Sequence, residues 1–272
     1  CDIPQNLIQK YKIHVIPQIV IWGDEEYCDR VDLTPQMFYE RLETESSIPS
    51  TTQPSPNDFK ELYQKVIEQG AEDIVVITVS AAMSGTYQIA KKTGETVGVP
   101  VHVIDSKGPT MSLGWQVLSA ARARENGGDL AEILEAIEQA RSKMVQIVCL
   151  DSLEFLHRGG RIGLATRYVG SILQLKPLVR INHETGLVEE AGRARTRQKS
   201  IDLLWDLFFD ELDKNKPMRV AVLHGNALQE AEELASQIRT EYDLEELLVH
   251  MTGPVLGVNT GPQALALCGY TE

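Results

Sequence analysis

The sequence predicts an α/β protein of two domains, the first a parallel sheet flanked by helices and the second a mixed sheet with helices. In the first half, apolar and β-branched runs such as residues 73–79 alternate with stretches whose apolar residues recur at helical spacing. Continuous apolar strands between helices are typical of a parallel sheet that is covered on both faces. After residue 145 the pattern changes to hairpin-like strands, so we predict domains at 1–145 and 146–272.

The first domain begins with a predicted strand over residues 13–22. Two helix starts follow, at Thr34 before Pro35 and at Ser55 before Pro56. Ser and Thr cap helices well, and proline suits the first helical position, so both pairs predict a helix N-terminus. The remaining predicted elements are strands over residues 73–79 and 101–104, helices after each, and a helix over residues 129–143.

The second domain contains a predicted hairpin. Its loop, Asn-His-Glu-Thr-Gly at residues 182–186, lies between two apolar runs, and such a loop is typical of two antiparallel strands. The predicted elements are a strand over 145–150, a short helix with a Gly-Gly-Arg turn, strands over 176–181 and 187–191, a helix over 196–213, a strand over 219–224, a helix over 228–242 and a strand over 246–251.

Composition limits the classes of function. Hydrophobic residues make up 43% of the chain and charged residues 24%, as in ordinary globular proteins. The formal net charge of −13 argues against a nucleic-acid surface, because such a surface needs a concentrated basic face. No apolar run approaches the roughly 20 residues that span a bilayer. We therefore expect neither nucleic-acid binding nor stable membrane insertion.

The four cysteines match no zinc or redox spacing, and the six histidines form no metal-ligand pattern. This absence favours a reducing cytoplasm, and we expect no metal and no cofactor. The chain begins at Cys1, which leaves two interpretations open. Either this residue carries the lipid of a processed lipoprotein, or residues upstream are absent from the sequence.

Two hydroxyl-rich loops follow predicted strands, where open α/β sheets place their ligand sites. The loop PSTTQPSP at 49–56 is held extended by its prolines, although it also suits a helix-capping loop. The loop SAAMSGTY at 80–87 places Ser84 where a helix is predicted to begin, beside free backbone N–H groups that favour an anion. Ser84 is thus a hydrogen-bond donor, an N-cap or a nucleophile. A nucleophile needs a base, and no G-x-S-x-G pattern is present.

Two further loops carry glycines. Arg158 and Arg161 flank a glycine pair, which suits either an anion clamp or docking surface or an ordinary exposed turn. The segment GPVLGVNTGP at 253–262 permits close backbone approach, but it matches no nucleotide-binding pattern.

Together and in this order, these loops resemble the DegV family, and the resemblance runs nearly end to end. The segments that carry it are TTQPSP at 51–56, SAAMSGTYQIA at 80–90, VIDSK at 103–107, DSLEFLHRGGRI at 151–162, LKPLV at 175–179, GRARTRQKSI at 192–201 and GPVLGVNTGP at 253–262. The resemblance implies a fatty-acid-binding protein that buries a long acyl tail mainly in its first domain. It also implies an exchangeable subunit of fatty acid kinase, which presents the acid to a separate kinase for acyl-phosphate formation in phospholipid metabolism.

The resemblance also implies roles for single residues. Thr51 and Ser84 take the places of the family's carboxylate ligands. Arg161 matches an arginine near the head group, and Arg193 or Arg195 matches one linked to kinase docking. The neighbouring residues of the site loops are Thr52, Gly85 and Thr260.

The chain departs from the family pattern in two places. Asn259 stands where the family usually has a histidine close to the carboxylate. Asparagine donates a hydrogen bond but carries no positive charge, so we expect weaker pH dependence of ligand binding than in a histidine-bearing relative. Family members also begin with a strand that ends before A-D-L-P, which corresponds here to residues 1–4. We therefore expect a further strand upstream, because a sheet without it leaves ladder groups unpaired.

Two other functions compete with this hypothesis. The chain is a stand-alone hydrolase or phosphotransferase that uses Ser84, or it binds another small apolar acid. The sequence offers no evident base or metal for Ser84, so we expect a non-catalytic binding protein whose ATP-dependent chemistry belongs to a separate subunit.

Overall fold

The computed structural model describes residues 1–168 and 175–272. The elements of the first half are α1 (Gln5–Lys10), β1 (Ile19–Trp22), β2 (Glu25–Cys28), α2 (Pro35–Thr44), β3 (Ser50–Thr52), α3 (Pro56–Glu68), β4 (Ile74–Thr78), α4 (Thr86–Gly94), β5 (Val101–Asp105), α5 (Thr110–Glu125) and α6 (Leu130–Ser142). Those of the second half are β6 (Val145–Cys149), α7 (Glu154–Arg158), a 3-10 helix (Gly163–Tyr168), β7 (Lys176–Asn182), β8 (Leu187–Ala194), α8 (Arg197–Phe209), β9 (Met218–His224), α9 (Leu228–Glu241), β10 (Leu244–Met251), α10 (Pro254–Thr260) and β11 (Leu265–Thr271).

The predicted helix starts are confirmed by their caps. The Thr34 hydroxyl accepts a hydrogen bond from the backbone N–H of Met37 at the start of α2. At the start of α3, Ser55 and Asp58 each accept from the other's backbone N–H, which forms a capping box. These caps are local in sequence, which is why the sequence predicts them.

The predicted fold class is confirmed, and the first half contains one sheet more than predicted. Strands β4 and β5 pair in parallel, with helices packed on them, as expected. Strand β1 instead pairs antiparallel with both β2 and β3. A two-residue turn at Gly23 and Asp24 joins β1 to β2, and Gly23 has the positive φ of +67° that suits a tight hairpin. Such a turn imposes antiparallel pairing, which the apolar run at 13–22 does not reveal.

Within residues 145–168 and 175–272, the strands form one mixed sheet of six in the order β10-β9-β11-β6-β7-β8. Among the pairs that these six strands make, only β10 and β9 run parallel, and β7 and β8 form the predicted hairpin. Strand β11 has no predicted counterpart, although it lies between β9 and β6 and is buried along its whole length.

Two cores cover the faces of the six-stranded sheet. On one face, α8 and α9 pack Leu204, Phe208 and Leu234 against the strands. On the other face α5 brings Met111 and Trp115, so this core combines residues from before and after residue 145. The six strands all follow that position, and the domain boundary there stays a prediction. Among the described residues, no helix is long and apolar enough to cross a membrane.

Candidate functional site

A cavity of about 890 Å³ lies between the two halves of the molecule. Apolar side chains of α3, β4 and α5 form its wall on one side, and side chains of β6, β7, β8, β9 and β11 form the other. Representative wall residues are Phe59, Leu62, Leu113, Val148 and Val179. This volume lies within the range of small-molecule pockets, and an apolar wall of this kind suits an apolar ligand.

Part of this volume is a gap beside β4. Residues 12–16 and 74–79 border the cavity in two unbroken runs. Since successive side chains of a strand point to opposite faces, an unbroken run means that the edge of β4 faces the cavity. Within the described residues β4 pairs only with β5, which leaves that edge open.

One end of the cavity is polar and receives Thr51 and Thr52 from β3. Both residues are predicted to lie in a loop, but they form a short strand in which Thr51 lies opposite Val20 of β1. This pairing fixes the backbone on which the two hydroxyls stand. Gln53, the next residue, also borders the cavity.

Ser84 lies at the same polar end, in a small hydroxyl network. Its Oγ lies 2.8 Å from the Oγ1 of Thr86, and the backbone N–H of Thr86 donates to it at 3.3 Å. The Nε2 of Gln18 in turn donates to the Thr86 Oγ1 at 2.9 Å. Helix α4 begins at Thr86 with Gly85 as its N-cap, so the interpretation of Ser84 as an N-cap is wrong. Its hydroxyl accepts from the residue two positions on, which is a local turn contact.

Arg161 borders the cavity next to the loop that carries Ser84. Its Nε donates to the carbonyl of Met83 at 3.2 Å, and its Nη1 donates to the carbonyl of Gly159. The guanidinium is therefore engaged with backbone oxygens. Its positive charge remains close to the polar end, where an anion would be favoured.

Asn259 and Thr260 border the polar end from the last turn of α10. This segment is predicted to be a glycine-containing loop, but Pro254 begins a short helix, as proline often does. The Asn259 Nδ2 donates to the carbonyl of Val255 at 2.9 Å, and its Oδ1 has no partner among the described residues. A Cβ on Gly159 would lie 2.3 Å from that Oδ1, so the Gly-Gly-Arg turn packs directly on α10.

The cavity thus brings together most of the residues predicted for the site. Those that border it are Thr51, Thr52, Ser84, Arg161, Asn259 and Thr260. Gly85 does not border it, and a Cβ there would meet the Gln53 side chain at 3.5 Å. Arg193 and Arg195 do not border it either and are exposed at the end of β8. Their predicted roles are not decided by this placement.

Sequence reasoning missed a buried charged group at the start of α10. The Asp2 carboxylate accepts from the backbone N–H of Gly253 and from the Arg30 guanidinium. Burial would raise the pKa of Asp2, but the charge of Arg30 and these hydrogen bonds outweigh it and lower that pKa. Burial raises the pKa of Asp29, which also borders the cavity, to about 6, and the Asp2 charge acts in the same direction. No local pattern reveals this group, because its members come from distant parts of the chain.

Sequence reasoning also missed Gln18 and Thr86. Thr86 stands inside the loop that the sequence analysis singled out, but Gln18 is 68 residues away and reaches it only through the fold. Among the described residues, no group of three or more His, Cys, Asp or Glu side chains could hold a metal ion. The polar residues predicted for the site are hydroxyls, an amide and one engaged arginine, and the carboxylates of Asp2 and Asp29 border the same cavity.

Comparison with known proteins gives a consistent result. The family model described as "Uncharacterised protein, DegV family" matches residues 1–272. A DegV domain-containing protein of Halalkalibacterium halodurans is 31% identical over 259 residues, which cover 95% of this chain and 91% of that protein. Protein DegV of Bacillus subtilis is 29% identical over 268 residues, covering 98% of this chain and 94% of that protein.

Solved structures agree with this result. A DegV family protein from Thermus thermophilus, described as binding a fatty acid, matches with a TM-score of 0.91 and 29% identity, covering 100% of this chain and 96% of that one. DegV from Bacillus subtilis, described as a fatty acid binding protein, matches with a TM-score of 0.89 and 27% identity, covering 100% and 96%. The resemblance seen in the sequence is confirmed, and this chain belongs to the DegV family.

Proposed function

We propose that this protein binds a long-chain fatty acid, with the acyl tail in the cavity and the carboxylate at the polar end. The observation that carries the proposal is one apolar cavity that ends at uncharged donors, among them Thr51 and Ser84. The fatty-acid-binding relatives of the same fold support it.

The energetics favour such a ligand. Each buried CH₂ group contributes about 0.8 kcal/mol, so a sixteen-carbon chain gains on the order of 10 kcal/mol before ordering costs. The head group then needs only to keep most of its hydrogen bonds when it leaves water. Hydroxyl groups and backbone N–H groups can replace its hydration without clamping both oxygens.

We further propose that the bound carboxylate is presented to a separate fatty acid kinase in the cytoplasm. Arg161 already donates to two backbone carbonyls, which leaves the carboxylate oxygens less tightly held than in a bidentate clamp. The exposed Arg193 and Arg195 are the proposed docking residues. Arg193 of β8 lies opposite Pro177 of β7. The residue before Pro177, Lys176, forms an ion pair with Asp151, which shortly precedes α7 and its Gly-Gly-Arg turn. The two arginines therefore lie at the same end of the sheet as that turn.

The hydrolase alternative has less support. Within the described hydrogen bonds, the Ser84 Oγ contacts only groups of Thr86. The Thr86 hydroxyl in turn accepts a hydrogen bond from the amide of Gln18. A serine nucleophile needs a base that removes its proton, and neither of these neighbours is one. We expect the purified protein alone to cleave no ester and to release no phosphate from ATP.

Mass spectrometry of lipid extracted from the purified protein tests the binding proposal. The expected result is close to one long-chain fatty acid per chain, either as isolated or after loading with hexadecanoate. Finding a phosphorylated metabolite, or no lipid after loading, contradicts it.

For the kinase step, the double variant Arg193→Glu, Arg195→Glu should bind the acid normally and yield less acyl-phosphate with the kinase and ATP. Equal yields would contradict the docking role.

A further inference from the structure

Three polar side chains form a hydrogen-bond chain at the polar end of the cavity. The Gln18 Nε2 donates to the Thr86 Oγ1 at 2.9 Å, and the Thr86 Oγ1 lies 2.8 Å from the Ser84 Oγ. All three residues border the cavity, and Thr86 is only 6% exposed. Gln18 directly precedes β1, and Ser84 lies in the loop before α4. The hydrogen-bond chain is therefore created by the fold and not by a local motif.

The donors and acceptors of this hydrogen-bond chain follow one direction, from Gln18 to Ser84. An amide nitrogen can only donate, so the Thr86 Oγ1 accepts from Gln18 and keeps its own proton to give. Among the described residues the acceptor within reach of that proton is the Ser84 Oγ. The Ser84 Oγ also accepts from the backbone N–H of Thr86. A hydroxyl oxygen accepts about two hydrogen bonds and donates one, so both acceptor positions of Ser84 are filled and its proton is left for a ligand.

We infer that Gln18 is a positioning residue that sets this direction and thereby makes Ser84 a dedicated donor to the ligand's head group. The inference rests on the proposed fatty-acid binding and adds a selectivity rule to it. A carboxylate accepts the Ser84 proton in a charge-assisted hydrogen bond, which is roughly twice as strong as the neutral bond that an alcohol would make. The site therefore favours an anionic acceptor over an alcohol of equal chain length.

Reversing the donor-to-acceptor direction of the hydrogen-bond chain tests this inference. In Gln18→Glu, an ionised carboxylate stands in place of the amide and can only accept. The Thr86 proton then turns to Glu, the Ser84 proton turns to Thr86, and a Ser84 lone pair faces the ligand. That arrangement repels a carboxylate and accepts a hydrogen bond from an alcohol. The acid-to-alcohol ratio of bound lipid is therefore the quantity to measure.

The added negative charge would also repel a carboxylate, and Gln53→Glu controls for it. The Gln53 side chain borders the same end of the cavity and lies beside Gly85. Among the described hydrogen bonds it makes none with Ser84 or Thr86. The control therefore brings the same charge to the same end and leaves the direction of the chain intact.

Two uncharged variants complete the set. Gln18→Leu removes the first donor, and Thr86→Val removes the linking hydroxyl at nearly constant volume. Either change leaves the Ser84 proton without a fixed direction, so the preference for the acid should weaken and not reverse. A merely structural role for these residues would lower the amount of both lipids alike and leave their ratio unchanged.

Each full-length protein is stripped of lipid and incubated with equal amounts of hexadecanoate and hexadecan-1-ol. The bound lipids are then extracted and quantified by mass spectrometry. We expect Gln18→Glu to lower the acid-to-alcohol ratio on the order of 100-fold, and Gln53→Glu by less than about 10-fold, relative to wild type. Gln18→Leu and Thr86→Val should lower it about fivefold.

Equal ratios in Gln18→Glu and Gln53→Glu would overturn the inference while leaving fatty-acid binding intact. Uptake of neither lipid by the wild-type protein would instead overturn the proposed function. Thermal melting shows whether each variant folds. If Gln18→Glu does not fold, Gln18→Leu and Thr86→Val decide, because a wild-type ratio in both of them contradicts the inference.

Discussion

The six-stranded sheet and the strand β4 illustrate two uses of similar apolar sequence. Strands β6 and β11 are buried at every residue, since helices or core side chains cover both faces of their sheet. Strand β4 is as apolar, yet four of its five residues are only partly buried and the strand borders the cavity. The comparison teaches that neighbouring strands and helices enclose β6 and β11 although their sheet also borders the cavity, whereas β4 keeps one edge that no described strand covers.

The largest expected effect is the difference between Leu267→Ala and Ile77→Ala. Leu267 is fully buried in β11, so we expect Leu267→Ala to lower the free energy of unfolding by about 3 kcal/mol. Ile77 of β4 is only partly buried, so Ile77→Ala should cost about 1 kcal/mol in the ligand-free protein. Urea unfolding of both variants measures the difference, and equal losses would break the comparison.

The next effect concerns the buried charge beside the cavity. Because the pKa of Asp29 is raised to about 6, the folded protein holds this proton more tightly than the unfolded chain does. Its contribution to stability is present near pH 4 and is lost as the pH rises through 6. Asp29→Asn should therefore raise the free energy of unfolding at pH 7.5 by about 2 kcal/mol, with little change near pH 4. Thermal melting against pH measures this, with Asp24→Asn in the exposed β1–β2 turn as a control. A pH-independent gain would contradict it.

A smaller effect separates ligand binding from packing at the polar end. Thr51→Val and Ser84→Ala each remove one hydroxyl that borders the cavity. We expect each to weaken hexadecanoate binding by about 1 kcal/mol, or roughly fivefold, with little loss of stability in the ligand-free protein. Isothermal titration calorimetry measures the affinity, and Thr240→Val on exposed α9 serves as the control. Wild-type affinity in both site variants would place the carboxylate elsewhere.

The smallest expected effect is a change of pH profile at Asn259. A histidine there would gain a positive charge as the pH falls through its ordinary pKa near 6.5. We expect Asn259→His to bind hexadecanoate about threefold more tightly at pH 5.5 than at pH 8, beyond any change in the wild type. The same titration at both pH values measures it. An unchanged profile would contradict the predicted role of this position.

Local features of the fold were predictable from the sequence. Thr34 and Ser55 each cap the helix that the sequence predicts after them, because capping depends on residues only a few positions apart. The hairpin of β7 and β8 was predictable for the same reason. The site loops carrying Thr51 and Ser84 could be singled out by their hydroxyl groups and their predicted position after strands, but the roles of the two residues came from the family resemblance.

Features that depend on distant contacts were not predictable. Strand β11 holds Gly269 and Cys268 in a short terminal run, and its central place in the sheet follows from pairing with two strands far away in the chain. The hydrogen bond between Gln18 and Thr86 likewise joins residues 68 positions apart. Asp29 is buried next to the start of α10, more than 200 residues away in the chain, so its raised pKa has no signal in the local sequence.

The contact between α7 and α10 has a consequence for how a ligand would leave. A Cβ on Gly261 would lie 2.4 Å from the ring of Phe155, and Gly159 approaches Asn259 just as closely. The two helices are thus in close contact at two points, next to the turn that carries Arg161. We expect α7 and the end of α10 to move together when this end of the cavity opens. Exchange of a bound molecule should then follow a single rate constant.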